Sequence, residues 1–562
     1  MGTLLLNCSN LQLKPNKNIT VCKNNSHSHT PKNKFLNVVN CQINVSCNSS
    51  LKCIGEFDRT RINGGHENVV MKNDDHEGIG IVNFLQGKTL FITGATGFLA
   101  KVLVEKILSS VPDIGKIYLM IRAKTQEAAM ERLKSEIIDA EIFKCLKEKY
   151  GKGYEDFVLS KLFPVVGNVG ELGLGLEESM ANLVAKEAHV IVNSAANTTF
   201  YERYDVSVDI NTRGIYHLID FAKTCNNLRL FLQISTAYVN GTRKGQIMET
   251  IFKTGDGIID QNYNLSTALN IESEMQLAFH AREAFNHNSS SQNLNKLGLQ
   301  RAKECGWHDT YTFTKAMGEM ILSEVPLPLP VVIIRPTIIE STYKHPFSGW
   351  IQGNRMLDPI INHYAKRQLT CFMGDPNCVV DVVPVDMVVN ATLAAMARHG
   401  RAREANVSVY QVASSMNNPL TLQQFVTLFY EHFKSSPFFD SKGKPINAAK
   451  PMKLYASMDK FSSHLERDIK EFSNSKNSEI FAKRFMEQVR QLATLYTPYF
   501  FNEARFDSSN LQKLMEEMSE EEKVEFGFDV ASIHWDYYIK EVHVPGLRRH
   551  VIGLAKERKL VS

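Results

Sequence analysis

Short apolar runs alternate with longer segments of helical periodicity through the first two thirds of the chain. The run Lys88–Thr93 is rich in β-formers, as are 116-KIYLMIRA-123, 163-FPVVGN-168, 189-HVIVNSAA-196, 228-LRLFLQIST-236 and 331-VVIIRPTII-339. Runs of this length closed by turn residues predict buried strands. Between them, Lys101–Leu108 has the pattern of an amphipathic helix, 125–162 is helical in pattern, and 206-VSVDINTRGIYHLIDFAK-223 is a further helix. Strands alternating with helices predict an α/β fold with a doubly wound parallel sheet, whose ligands sit beyond the carboxyl ends of the strands. Past Ile339 the pattern turns irregular, and from about Asp459 it is mostly helical and charged, which predicts a smaller helical C-terminal domain.

Punctuation sets the boundaries. Residues 56–77 are polar and rich in Gly, Asn and Asp, so 1–77 reads as leader and linker and the core begins near Gly78. A large α/β domain over 78–434 carries an insertion at 241–308, whose Asn/Ser-rich 286-NHNSSSQN-293 predicts a mobile part near the mouth of the ligand site. The Ser/Pro/Lys-rich stretch 435–458 reads as a linker, and 459–562 as the C-terminal domain. There, Ser519 with Glu522 three residues on predicts a capping box. The tail 546-GLRRHVIGLAKERK-559 is a basic helix in pattern, and its Arg548 and Arg549 offer charge to an acidic carrier or an anionic membrane surface.

Composition narrows the class without choosing a function. The 562 residues are 43% hydrophobic and 22% charged with net charge +4, which is ordinary for a globular protein. Residues 1–55 hold six Lys and no Arg, Asp or Glu, so the rest of the chain is close to neutral and nucleic acid is excluded as the main partner. No run of eighteen apolar residues predicts a spanning helix, though peripheral membrane contact stays open. None of the ten cysteines is spaced with His as a metal site, and Cys305 reads as packing. The acid-free, amide- and hydroxyl-rich leader has no apolar signal core and fits a plastid transit peptide, with the endoplasmic reticulum or a cytosolic membrane surface as the alternative.

Chemistry concentrates in two motifs. In 93-TGATGFLA-100, Gly94 permits a tight turn and Gly97 lets backbone approach a pyrophosphate at a helix N-terminus, so Thr93, Gly94, Thr96, Gly97, Phe98 and Leu99 are candidate cofactor residues. An acid is missing after the second strand, where Arg122 stands instead, and that favours the 2′-phosphate of NADPH over NADH. In 311-YTFTK-315, Tyr311 and Lys315 lie one helical turn apart. An ammonium beside a phenol lowers its pKa, so the pair can donate a proton to a carbonyl oxygen while Lys315 holds the ribose, with Thr236 at the end of the fifth strand as a second donor. The motifs call for no metal.

The pieces 93-TGATGFLAK-101, 192-VNSAANTTF-200, 307-WHDTYTFTKAMGE-319, 334-IRPTII-339, 347-FSGWI-351 and 381-DVVPVDMVVN-390, with 498-PYFFNEARFDSSNL-511 and 533-IHWDYYI-539 in the tail, resemble the alcohol-forming fatty acyl reductases. These belong to the extended short-chain dehydrogenase/reductases, and the leader resembles the plastidial male-sterility-type branch. The resemblance covers about 78–560. It implies a Rossmann-type fold, Thr236, Tyr311 and Lys315 as the catalytic set, and NADPH held by the glycine turn, Arg122, Tyr311 and Lys315, with Asn211 beside the active site. Where the family often has an acid after the third strand, this chain has Asn168. The implied reaction takes a long-chain acyl thioester, on CoA or acyl carrier protein, to a primary alcohol for waxes or pollen-wall and cuticle polymers. Another extended reductase, acting on a sugar nucleotide or a phenylpropanoid, would share the first-half motifs without the tail. A non-catalytic dinucleotide sensor would lack the Tyr–Lys pair.

Overall fold

In the computed structural model, residues 78–253, 269–285, 290–324, 327–439, 443–446, 450–472 and 476–553 are described. The leader therefore lies outside the described residues, as do 254–268 and 286–289 of the insertion and 554–562 of the tail.

Seven parallel strands build the central sheet among the described residues: β1 (Leu90–Thr93), β2 (Ile117–Ile121), β3 (Leu162–Val166), β4 (Val190–Asn193), β5 (Leu230–Ile234), β6 (Val331–Pro336) and β7 (Val407–Val412). Their order is β7-β6-β5-β4-β1-β2-β3, so the winding reverses between β1 and β4 and a crevice opens there at the carboxyl ends. Strands β1, β2, β4, β5 and β6 are buried at every position, as expected for a sheet covered by helices on both faces.

The six expected strands form, with ends shifted by at most three residues; most are trimmed, and β3 starts one residue early. The seventh was missed, because 407-VSVYQV-412 mixes Ser and Gln into the run. It is an edge strand, and Gln411 is buried by bonding rather than by apolar contact: its amide nitrogen donates to Ile247 O (2.9 Å) and Asp507 O (2.7 Å).

Five helices matter below: α1 (Phe98–Ser110); α2, which runs through Tyr204–Val208, a π-helical turn at Asp209–Arg213 and Gly214–Thr224; α3 (Thr310–Glu324); α4 (Asp358–Ala365); and α5 (Lys476–Phe500). Helix α1 departs from the amphipathic expectation. Lys101, Glu105 and Lys106 on it are buried: the helix Val385–Ala402 and the turn Glu141–Phe143 pack against α1, Glu136 and Arg355 lie near Lys101, and Glu525 with Phe526 closes over Lys106. Lys106 Nζ donates to Glu525 Oε1 (2.6 Å) and sits 4.8 Å from the Phe526 ring centre. The Ser519–Glu522 capping box is present, and Glu522 also accepts from Ile79 N (2.8 Å) and Ile81 N (2.7 Å).

Two more differences concern the connections. The insertion contains two helices, Ile271–Ala284 and Ser290–Glu304, held to α2 by the Tyr204 hydroxyl on Glu274 and to each other by the Arg301–Glu274 ion pair. Residues 435–458 are not a bare linker: Lys453–Tyr455 pairs in parallel with Cys371–Met373, and Ala504–Phe506 beyond it pairs with Gly245–Ile247. Arg548 does not present its charge to a partner. It donates to Ser436 O (2.7 Å) and Oγ (2.8 Å) and stacks over Phe438, so it pins the tail to the chain; Arg549 is exposed. Among the described residues no helix is long and apolar enough to cross a membrane.

Candidate active site

At the switch point a cleft of about 300 Å³ is lined by Gly94, Thr96, Arg122, Arg132, Asn168 and the loop Ala195–Thr199. Gly94 has φ +67°, and a side chain there would run into Ala195 N and Ser194 O at 2.7 Å. Both facts require glycine where β1 turns into α1. Gly97 is the N-cap of α1, so the first-turn N–H groups of Phe98 and Leu99 have no helical partner and face outward as an anion site. A dinucleotide's pyrophosphate fits this cradle. The Phe98 ring itself is buried, stacked on Trp350 at 5.4 Å, so it offers only backbone.

Arg122 is exposed at the cleft's rim. A second guanidinium, missed in the sequence, stands with it: Arg132 donates to Arg122 O (2.6 Å) and is braced by Glu136. Only folding of Gln126–Arg132 back against β3, where Gln126 Nε2 donates to Pro164 O (2.7 Å), brings the two together. Asn168 lines the cleft but spends its amide locally, donating to Glu171 Oε1 (2.9 Å) and accepting from Gly170 N (3.2 Å).

Two other candidates serve the frame. Thr93 is fully buried below the cleft; its hydroxyl donates to Asn193 Oδ1 (2.5 Å) and accepts from Ala195 N (3.1 Å). Asn193 in turn donates to Gln233 Oε1 (2.8 Å), so one polar line ties the ends of β1, β4 and β5. Asn211, in the π-helical turn, accepts from Asn197 N (2.9 Å) and donates to Asn197 O and Thr314 Oγ1 (3.0 Å each). It therefore fixes the cleft loop against α3. Gly318 lets α3 come this close, since a Cβ there would lie 2.4 Å from Asn211 O.

Helix α3 brings Tyr311 to Thr236, with which it shares a hydrogen bond. Lys315 is buried, donates to Ile234 O (2.7 Å), and is pulled down to about 8 by burial. The expected ammonium–phenol coupling is replaced by other forces. Burial and the Asp309 carboxylate push the Tyr311 phenol well above its ordinary value, and only the Thr236 hydrogen bond opposes them. The phenol therefore stays protonated at neutral pH, as an acid must.

Asp309 caps α3 by accepting from Thr312 N (2.8 Å), and it receives the Tyr499 hydroxyl from α5. Tyr499 also stacks on Phe200 (5.5 Å), which faces Tyr311 (6.1 Å), and meets Tyr238 edge-on (5.1 Å). Tyr499 from the C-terminal part, with Phe200 and Tyr238, thus forms an aromatic roof over Tyr311. No sequence motif linked positions 309 and 499. Cys305 is held up to about 11 by burial, which makes it a poor nucleophile.

Two models of the family described as male sterility protein match residues 92–392 and 472–553. The chain is 55% identical to the chloroplastic fatty acyl-CoA reductase 2 of Arabidopsis thaliana over 494 residues, 85% of this chain and 80% of that one. It is 36% identical to the alcohol-forming fatty acyl-CoA reductase of Simmondsia chinensis over 84% of this chain and 99% of that one. Among solved structures, the terminal R domain of the myxalamid biosynthetic pathway shares the fold, with a TM-score of 0.53 at 16% identity over 83% of this chain and 92% of that one.

Proposed function

This chain belongs to the fatty acyl-CoA reductases, oxidoreductases with a nicotinamide-dinucleotide-binding domain, and from that premise we propose that it reduces long-chain acyl thioesters to primary alcohols with NADPH. The observation that carries the proposal is the protonated Tyr311 phenol beside Thr236, at the carboxyl end of β5 and under an aromatic roof.

The glycine turn and α1 would hold the pyrophosphate, Arg122 and Arg132 the 2′-phosphate, and Lys315 the nicotinamide ribose. Bound there, the nicotinamide supplies hydride. Thr236 and Tyr311 hold the substrate's carbonyl oxygen, and Tyr311 gives it a proton. The roof of Phe200, Tyr238 and Tyr499 excludes water, which strengthens both hydrogen bonds. A first reduction leaves a hemithioacetal that collapses to aldehyde and thiol; the same donors then serve the aldehyde. In this reading residues 78–434 carry the chemistry and 459–562 cover it. The full-length chain, given NADPH and a panel of acyl-CoA and acyl carrier protein thioesters, should yield fatty alcohol by mass. Turnover of sugar nucleotides or phenylpropanoids instead would sink the proposal.

Cofactor choice has its own test. Arg122→Ala or Arg132→Ala should raise the KM for NADPH about tenfold or more and leave that for NADH unchanged, since a charged hydrogen bond to phosphate is lost. Equal effects on both cofactors would remove these guanidinia from the phosphate site.

The leader is read as a plastid address, which the chloroplastic relative supports. Residues 1–77 fused to a fluorescent protein should enter plastids, where the donor would be acyl carrier protein. Cytosolic or endoplasmic-reticulum fluorescence would discard this reading and favour CoA.

A further inference from the structure

Away from the cleft, three ionisable side chains meet in the interior. Glu340 ends the short strand Ile338–Glu340, Asp358 opens α4, and His543 comes from the C-terminal segment. Their exposures are 3%, 0% and 0%. Their donor atoms all lie within 4.8 Å of one another, with His543 Nε2 3.3 Å from Asp358 Oδ1 and 3.8 Å from Glu340 Oε2.

Each group is anchored at one end and free at the other. Asp358 Oδ2 accepts from Arg355 N (3.0 Å), Glu340 accepts from the Leu357 backbone, and His543 Nδ1 meets Ser341 Oγ at 3.2 Å. Ser341 is itself held by Tyr538, whose hydroxyl donates to Ser341 O (2.7 Å). Yet Asp358 Oδ1, Glu340 Oε1 and His543 Nε2 have no hydrogen-bond partner among the described residues. An imidazolium would offset part of their charge, and Nε2 stands at ion-pair distance from both carboxylates, yet it makes a hydrogen bond to neither. The Arg355 guanidinium attracts Asp358, but the two carboxylates also repel each other, and burying them side by side costs several kcal/mol.

We propose that Glu340, Asp358 and His543 bind a divalent zinc ion. One donor atom from each of the three side chains lies within 4.8 Å of the other two, and the Glu340 oxygen that faces the ring at 3.8 Å is Oε2. With bonds of about 2.0–2.1 Å, neighbouring ligands of a tetrahedral zinc stand roughly 3.3–3.4 Å apart, near the His543–Asp358 spacing. One imidazole and two carboxylates suit zinc, whereas calcium and magnesium take oxygen alone. Zinc neutralises both carboxylates while the imidazole stays neutral. Ser341 then accepts from Nδ1–H, the outer hydrogen bond that orients a ligating histidine. The ligands come from a strand, a helix and the C-terminal segment, so the ion staples that segment onto the sheet domain. Tyr496 on α5 lies near the cluster, one turn before Tyr499, which reaches the active site. Structural zinc here thus also steadies the roof over Tyr311.

The test is the metal content of the full-length protein, purified without chelator and measured by elemental mass spectrometry, with melting temperature in parallel. One zinc per chain is expected. A picolinate chelator should lower the melting temperature, and added zinc should restore it. Ser341→Ala should weaken zinc about 10–100-fold in competition with a chromophoric chelator. Glu340→Gln should weaken it at least as much while keeping the fold. A metal-free wild type whose melting temperature ignores both chelator and zinc would overturn the proposal. So would zinc retained at full affinity in Glu340→Gln and His543→Ala, because the ion would then sit elsewhere, for example at Cys371, His464 and Asp468.

Discussion

Tyr311→Phe should lower alcohol formation by a hundredfold or more, with the melting temperature and the KM for cofactor nearly unchanged. The ring keeps its contact with Phe200, and only the hydroxyl shared with Thr236 is lost. Removing a general acid costs about 10²–10⁴ in rate. The pH profile separates this group from its neighbour. Burial and Asp309 hold the phenol above its usual value, so Tyr311 stays protonated and should contribute no loss of rate between pH 6 and 9. Lys315, drawn down to about 8, gives up its proton inside that window, so a fall near pH 8 belongs to it. Lys315→Arg, which stays charged, should move that fall upward. Near wild-type turnover by folded Tyr311→Phe would mean that another group protonates the substrate.

What could be read from the sequence was local. Apolar runs such as 230-LFLQI-234 marked the inner strands because both faces are buried, and Gly94 and Gly97 marked the turn because backbone must pass where a side chain cannot. Serine at 519 and glutamate at 522 announced a cap for the same reason: the partners are three residues apart. Contacts made by distant segments left no such trace. Strand β7 is half polar because Ile247 and Asp507 satisfy Gln411. Lys101, Glu105 and Lys106 read as the polar side of an amphipathic helix, but segments distant in sequence bury them, among them Glu525 and Phe526 over Lys106. Tyr311 and Lys315 could be paired by spacing. The direction in which the Lys315 ammonium points, toward Ile234 O, could not, and with it went the expected sign of the force on the phenol. Arg132, Tyr499 and the Glu340–Asp358–His543 cluster share this property, since each gains its meaning only from a partner on another element.

Removing the Glu319 carboxylate should be the most destabilising single change in α3. Glu319 and Arg335 form an ion pair with each side chain 1% exposed, joined at 2.5 and 3.1 Å and tying α3 to β6. Arg335 also lies 4.9 Å from the Phe252 ring centre. Glu319→Ala leaves the guanidinium buried without its partner, which costs about 3–5 kcal/mol. Against a usual total of about 5–15 kcal/mol, that should cut soluble yield and lower the melting temperature on the order of 10 °C. Replacing both partners, Glu319→Leu with Arg335→Met, should recover most of the loss, because no charge is then stranded. It should not recover activity in step. The Glu319 charge supports the Lys315 ammonium, so without it Lys315 deprotonates at lower pH. The double variant should therefore fold well and yet show its alkaline fall below that of wild type. A double variant no more stable than Glu319→Ala would mean that packing, not the stranded charge, sets the cost.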